Sequence, residues 1–66
     1  MTLVVSLLNQ KGYQRVENFG RNIRLERGED VILLSPYNGK CAIRKNGKVV
    51  SIISKVVEAV EVVKGL

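Results

Sequence analysis

The chain has 66 residues and a formal net charge of +5, and 45% of its residues are hydrophobic. That length allows one small domain spanning 1–66, near the lower limit for a self-sufficient core, and the hydrophobic content excludes a disordered chain. With no His and a single Cys, an intramolecular disulfide is excluded and a metal-ligand set is missing.

Residues 2–11 place Leu3, Val4, Leu7 and Leu8 on one helical face, with Ser6, Asn9 and Gln10 opposite. Strand alternation fails over the same stretch, so a helix is expected. Thr2 suits its start, Lys11 its last turn, and Gly12 the left-handed position just past its end. The apolar run is too short for a membrane span and lacks the flanks of a signal peptide, so the chain reads as cytoplasmic. Abundant Val with scarce Gln and His suits a thermophilic source, and the length suits a phage or archaeal virus.

From Tyr13 onward the period changes to two. Tyr13 to Asn18 puts Val16 inward and Tyr13, Arg15 and Glu17 outward. A turn at Phe19-Gly20 pairs Val16 with Ile23. Asn22 to Glu26 puts Ile23 and Leu25 inward. A turn at Gly28-Glu29 pairs Leu25 with Ile32 in Val31 to Leu34, which is apolar on both faces as a central strand is. Ser35 to Lys40 reads as a six-residue loop that pairs Leu34 with Cys41 and Ile32 with Ile43. Asn46-Gly47 is the preferred pair for a type I′ turn. It sets Lys45 against Lys48, Arg44 against Val49, Ile43 against Val50, Ala42 against Ser51 and Cys41 against Ile52. All four connections keep inward residues opposite inward residues, which a one-residue slip would undo. Cys41 then reads as a small core residue.

In Lys55 to Lys64, Val56, Val57, Val60 and Val63 share a helical face with Ile53, while Glu58 and Glu61 lie opposite. Ser54 is the expected N-cap and Gly65 the residue past the C-terminus. The expected fold is α+β: an N-terminal helix, an antiparallel meander of about five strands, and a C-terminal helix, both helices on one sheet face. In meander order the last strand is an edge rich in Val and Ile, which is a hazard unless it is covered or paired.

Leu7-Leu8-Asn9-Gln10-Lys11-Gly12-Tyr13-Gln14-Arg15-Val16 resembles the start of the HicA-type mRNA interferase toxins, in which the first helix ends in a Gly-aromatic step opening the first strand. The resemblance covers about ten residues. The catalytic His of those toxins belongs shortly after Gly20, where this chain has Arg21 and Asn22, so no catalytic role carries over. No His is present to act as general base, the Ser residues have no recognisable activating partner, and the glycines form no phosphate-binding loop. The expectation is therefore a binding protein and not an enzyme, without cofactor or metal.

Two binding classes fit the second sheet face. In the first, Arg15, Arg24 and Arg44 pair with phosphates of a nucleic acid, Tyr13 stacks on a base, and Lys40, Lys45 and Lys48 add contacts from one sheet end. The net charge of +5 favours this class. In the second, Val31, Leu33, Ala42 and Val49 form the apolar centre of a protein interface rimmed by arginine, and the chain is a homodimer or binds another protein, as a small viral or plasmid regulator or inhibitor does.

Overall fold

The computed structural model describes residues 2–66. Its elements are α1 (Thr2–Gln10), β1 (Gln14–Phe19), β2 (Asn22–Arg27), β3 (Asp30–Tyr37), β4 (Lys40–Lys45), β5 (Lys48–Ile53) and α2 (Val56–Lys64). The strands form one antiparallel sheet in the order β1-β2-β3-β4-β5. This is the α+β meander flanked by helices that the hydrophobic periods imply.

Each strand connection is a two-residue turn. Asn38 and Gly39 both have positive φ, as do Asn46 and Gly47, which is the type I′ requirement. The other two connections are Gly20-Arg21 and Gly28-Glu29, with positive φ at the glycine only. That pattern suits the type II′ turn, which takes Gly first.

Turns and bulges correct the expected register in three of the four strand pairs. The supposed loop at 35–40 is mostly strand, because Asn38-Gly39 closes a hairpin as tight as Asn46-Gly47 does. Leu34 therefore pairs with Ile43 and not Cys41, and Ile32 pairs with Lys45. The shift is two residues, so the faces survive. In β1 the register slips between Arg15 and Glu17, leaving Val16 as the extra residue of a bulge. The first turn is Gly20-Arg21 and not Phe19-Gly20, so Asn18 and not Val16 pairs with Ile23; beyond the bulge Arg15 pairs with Leu25, and Val16 is exposed instead of inward. In β5 Val50 is the extra residue: Arg44 pairs with Val49 as expected, but Ile43 pairs with Ser51, Ala42 with Ile52 and Cys41 with Ile53. Beyond Val50 this bulge exchanges the faces of β5. Ile53 is buried and Ile52 is exposed, the reverse of the simple alternation.

The helix-bearing face buries Leu25, Ile32, Leu34 and Ile43 completely, with Ile53 nearly so. Full burial of side chains this size contributes about 1.5–3 kcal/mol each. From α1, Val4, Val5 and Leu8 close over them, with Val5 taking the inward place expected for Leu3. From α2 the buried residues are Ala59 and Val63, while Val56 and Val57 are exposed. The helix is thus rotated from the valine stripe that the period suggests. Its N-cap is Lys55, and the Ser54 hydroxyl donates to the Glu58 carboxylate at 3.1 Å instead of capping. Gly65 keeps a right-handed φ of −84°. Thr2 is the first residue within α1.

The join from α1 to β1 follows the sequence reading at Gly12 and departs from it at Tyr13. Gly12 has φ +94°, its amide donates to Asn9, and the Tyr13 amide donates to Leu8, both at 3.0 Å. This Schellman arrangement brings Leu8 and Tyr13 together, and both are fully buried. Tyr13 was expected outward. It is core, and its hydroxyl donates to the Leu66 carbonyl at 3.0 Å. The Arg27 guanidinium lies 4.2 Å from the Tyr13 ring centroid and donates to the carbonyls of Lys11 at 2.9 Å and Leu66 at 3.0 Å. Lys11 donates to the Lys64 carbonyl at 3.1 Å. One arginine at the end of β2 thus ties the exit of α1 to the end of α2. A Cβ at Gly12 would stand 3.3 Å from the Arg27 stem, so the glycine also leaves room for this contact.

Tyr13→Phe keeps the packing but removes the bond to Leu66. It is expected to lower unfolding free energy by about 1 kcal/mol with an unchanged urea m-value. An unchanged urea midpoint would show that the hydroxyl bond adds nothing.

Candidate interaction face

On the face away from the helices, register sets one row across all five strands: Glu17, Arg24, Leu33, Arg44 and Val49. A second row runs Ser35, Ala42 and Ile52. Glu26 and Val31 are paired in a third. The expected apolar patch of Val31, Leu33, Ala42 and Val49 is therefore contiguous. Ile52 joins it because of the Val50 bulge, and Tyr37, opposite Lys40, extends it at the sheet end. The register of Ile52 could not be read from alternation. Tyr37 is missed when 35–40 is read as a loop, although Asn38-Gly39 is itself a hairpin signal that places it.

Asn22, Arg24, Val31, Leu33, Arg44 and Gly47 line a depression of about 290 Å³ on this face. Arg24 and Arg44 are half-buried, so their stems flank the apolar floor while their heads remain reachable. The two heads differ. Arg24 Nε lies 3.0 Å from Glu26 Oε2. Arg44 makes no ion pair or side-chain hydrogen bond among the described residues. An unpaired guanidinium beside Val31 and Leu33 can accept a carboxylate that arrives with an apolar group attached.

The basic residues expected to act together do not share this face. Arg24, Arg44 and Lys40 occupy its register positions. Arg15 pairs with Leu25 and Lys45 with Ile32, so both hold positions of the helix-bearing side. Lys48, opposite Lys45, goes with them. Arg15 donates to Asn18 Oδ1 at 3.0 Å. Lys40 and Lys45 begin and end β4, so they stand at opposite sheet ends and not at one. The buried Tyr13 ring presents no stacking surface to a base.

Asn46 does more than turn the last hairpin. Its backbone amide donates to the Val31 carbonyl at 2.8 Å, its side-chain oxygen accepts from the Val31 amide at 2.8 Å, and its Nδ2 donates to Asp30 at 3.1 Å. The turn is thereby fastened to β3 at the rim of the depression. This hydrogen bond, with the charges of Lys45 and Arg27, holds the Asp30 carboxyl below the usual aspartate range. Burial raises the Cys41 thiol, which packs at the margin of the core. Among the described residues, no three His, Cys, Asp or Glu side chains gather as a metal site requires. No helix there is long and apolar enough to cross a membrane.

Comparison with known proteins finds no matching protein-family model, no matching curated protein and no matching solved structure.

Because the folded-state pKa of Asp30 is depressed, its contribution to stability is present above the ordinary aspartate value. It is lost as the pH falls below about 4 and through the folded pKa. Asn46→Ala is expected to move the Asp30 pKa upward and to reduce this acid-side loss. Titration of the Asp30 carboxyl carbon by NMR checks it, and an unmoved pKa would contradict the assigned cause.

Proposed function

We infer that this chain is a protein-interaction module, binding without catalysis, whose outer sheet face docks a protein partner. Val31, Leu33 and Val49 supply the apolar centre above Ala42, which is already buried at 4% exposure, Ile52 extends it, and Arg24 and Arg44 form the polar rim. The observation that carries this reading is the unpaired, half-buried Arg44 set between Leu33 and Val49 in one cross-strand row. Interfaces favour Arg next to desolvated apolar groups, and the energy concentrates in a few such residues. The matching partner segment carries an apolar side chain and a nearby carboxylate.

The net charge of +5 supports a second reading, nucleic-acid binding. The placement of the charges supports it less. The cations divide between two faces, and Glu17 and Glu26 hold register positions beside Arg24 and Val31, where they repel phosphate.

Panning a random peptide library against the immobilised chain tests the first reading. Enriched peptides are expected to combine apolar and acidic residues. Leu33→Asp and Arg44→Glu should each weaken their binding at least tenfold, about 1.4 kcal/mol, while far-UV circular dichroism stays unchanged. Selected peptides indifferent to both substitutions would contradict the proposed face. Mixed-sequence oligonucleotides titrated at low salt test the second reading. Saturable binding that falls steeply with added salt would favour nucleic acid.

A further inference from the structure

The two edges of the sheet differ. On β1, the charged and polar residues Gln14, Arg15, Glu17 and Asn18 accompany the Val16 bulge. Both edge strands carry a bulge, so what distinguishes them is charge, which proteins use to keep an edge from pairing with another chain. On β5, Lys48 is the only charged residue, and it stands at the first position. After it, Val49 is 56% exposed, Val50 45% and Ile52 40%. No residue of β5 makes a backbone hydrogen bond outside its ladder with β4 among the described residues. Val56 and Val57, which begin α2 just past the strand, are exposed as well. The helices pack against the sheet face and leave this edge open.

We propose that β5 pairs with β5 of a second copy of this chain, antiparallel about a twofold axis between Val50 and Ser51. The occupant follows from the edge itself. A twofold operation matches an apolar edge with an apolar edge and closes after two chains. Pairing of β5 with the charged β1 edge would instead run on as an open fibre. The twofold also resolves the charge problem. It sets each Lys48 across from the second copy's Ile53, so the two lysines lie at opposite ends of the new ladder. The dimer holds a continuous ten-stranded sheet with both outer faces on one side, so two depressions face the same way. This inference concerns the strand edge and stands apart from the docking role of the outer face.

Light scattering coupled to size exclusion tests it on the full chain. At about 1 mM, which populates even a weak complex, the expected mass is twice the 7.3 kDa of one chain. Val50→Lys brings two new cations together at the axis and is expected to weaken association roughly 100-fold without altering circular dichroism, and Ile52→Lys to weaken it as well. In the wild-type dimer the outward amides of β5 should gain hydrogen-exchange protection and lose it on dilution. A chain that is monomeric at that concentration overturns the proposal. So does a dimer that survives both lysine substitutions, or one whose β5 amides stay unprotected while Leu33→Asp dissociates it.

Discussion

Four two-residue turns leave the sheet almost no freedom of register, and everything else in the molecule depends on that constraint. A two-residue hairpin dictates which residues stand opposite each other, and the pairing dictates which side chains share a face. Among the described residues two bulges are the only departures. The Val16 bulge moves Arg15 to the helix-bearing register and turns Val16 outward. The Val50 bulge sends Ile53 into the core and Ile52 to the outer face. The second slip is what joins the outer patch to the open edge of β5.

Closure of the domain comes from elsewhere. Meander contacts join neighbours in sequence, but the Tyr13 hydroxyl and the Arg27 guanidinium both reach Leu66, and Tyr13 is 53 positions away from it. The aromatic ring and its cation cover one sheet end, and the carbonyls at the two helix ends give up their unsatisfied valences there. A small domain with little core to spare has tied its first helix, second strand and last residue into one junction. Arg27 and Tyr13 are thereby occupied in structure, which removes one cation and one aromatic ring from any binding role.

Much of this was legible in the sequence, for identifiable reasons. Helical and alternating periods marked α1, the five strands and α2, and Asn46-Gly47 set Lys45 against Lys48 and Arg44 against Val49. Asn38-Gly39 carried the same signal but was masked by Ser35, Pro36 and Tyr37, which look like loop residues although β3 contains them. Bulges leave no reliable mark on a hydrophobic pattern, so the faces of Arg15, Ser51 and Ile52 were misplaced. The valine stripe of α2 misled because tertiary packing buries Ala59 and Val63 and leaves Val56 and Val57 exposed. Of the candidate site, the apolar centre and Arg24 with Arg44 stand where alternation put them. Tyr13 does not, since the Schellman end of α1 turns it into the core. Alternation alone could not register that.

Cross-strand nuclear Overhauser contacts across β3, β4 and β5 test the central claim most directly, because the faces follow from them. Contacts between Ile43 and Ser51, Ala42 and Ile52, and Leu34 and Ile43 are expected. Contacts between Ile43 and Val50 with Ala42 opposite Ser51 would return Ile52 to the helix-bearing side. They would contradict the Val50 bulge, and with it the extension of the outer patch by Ile52 and the twofold register proposed for β5.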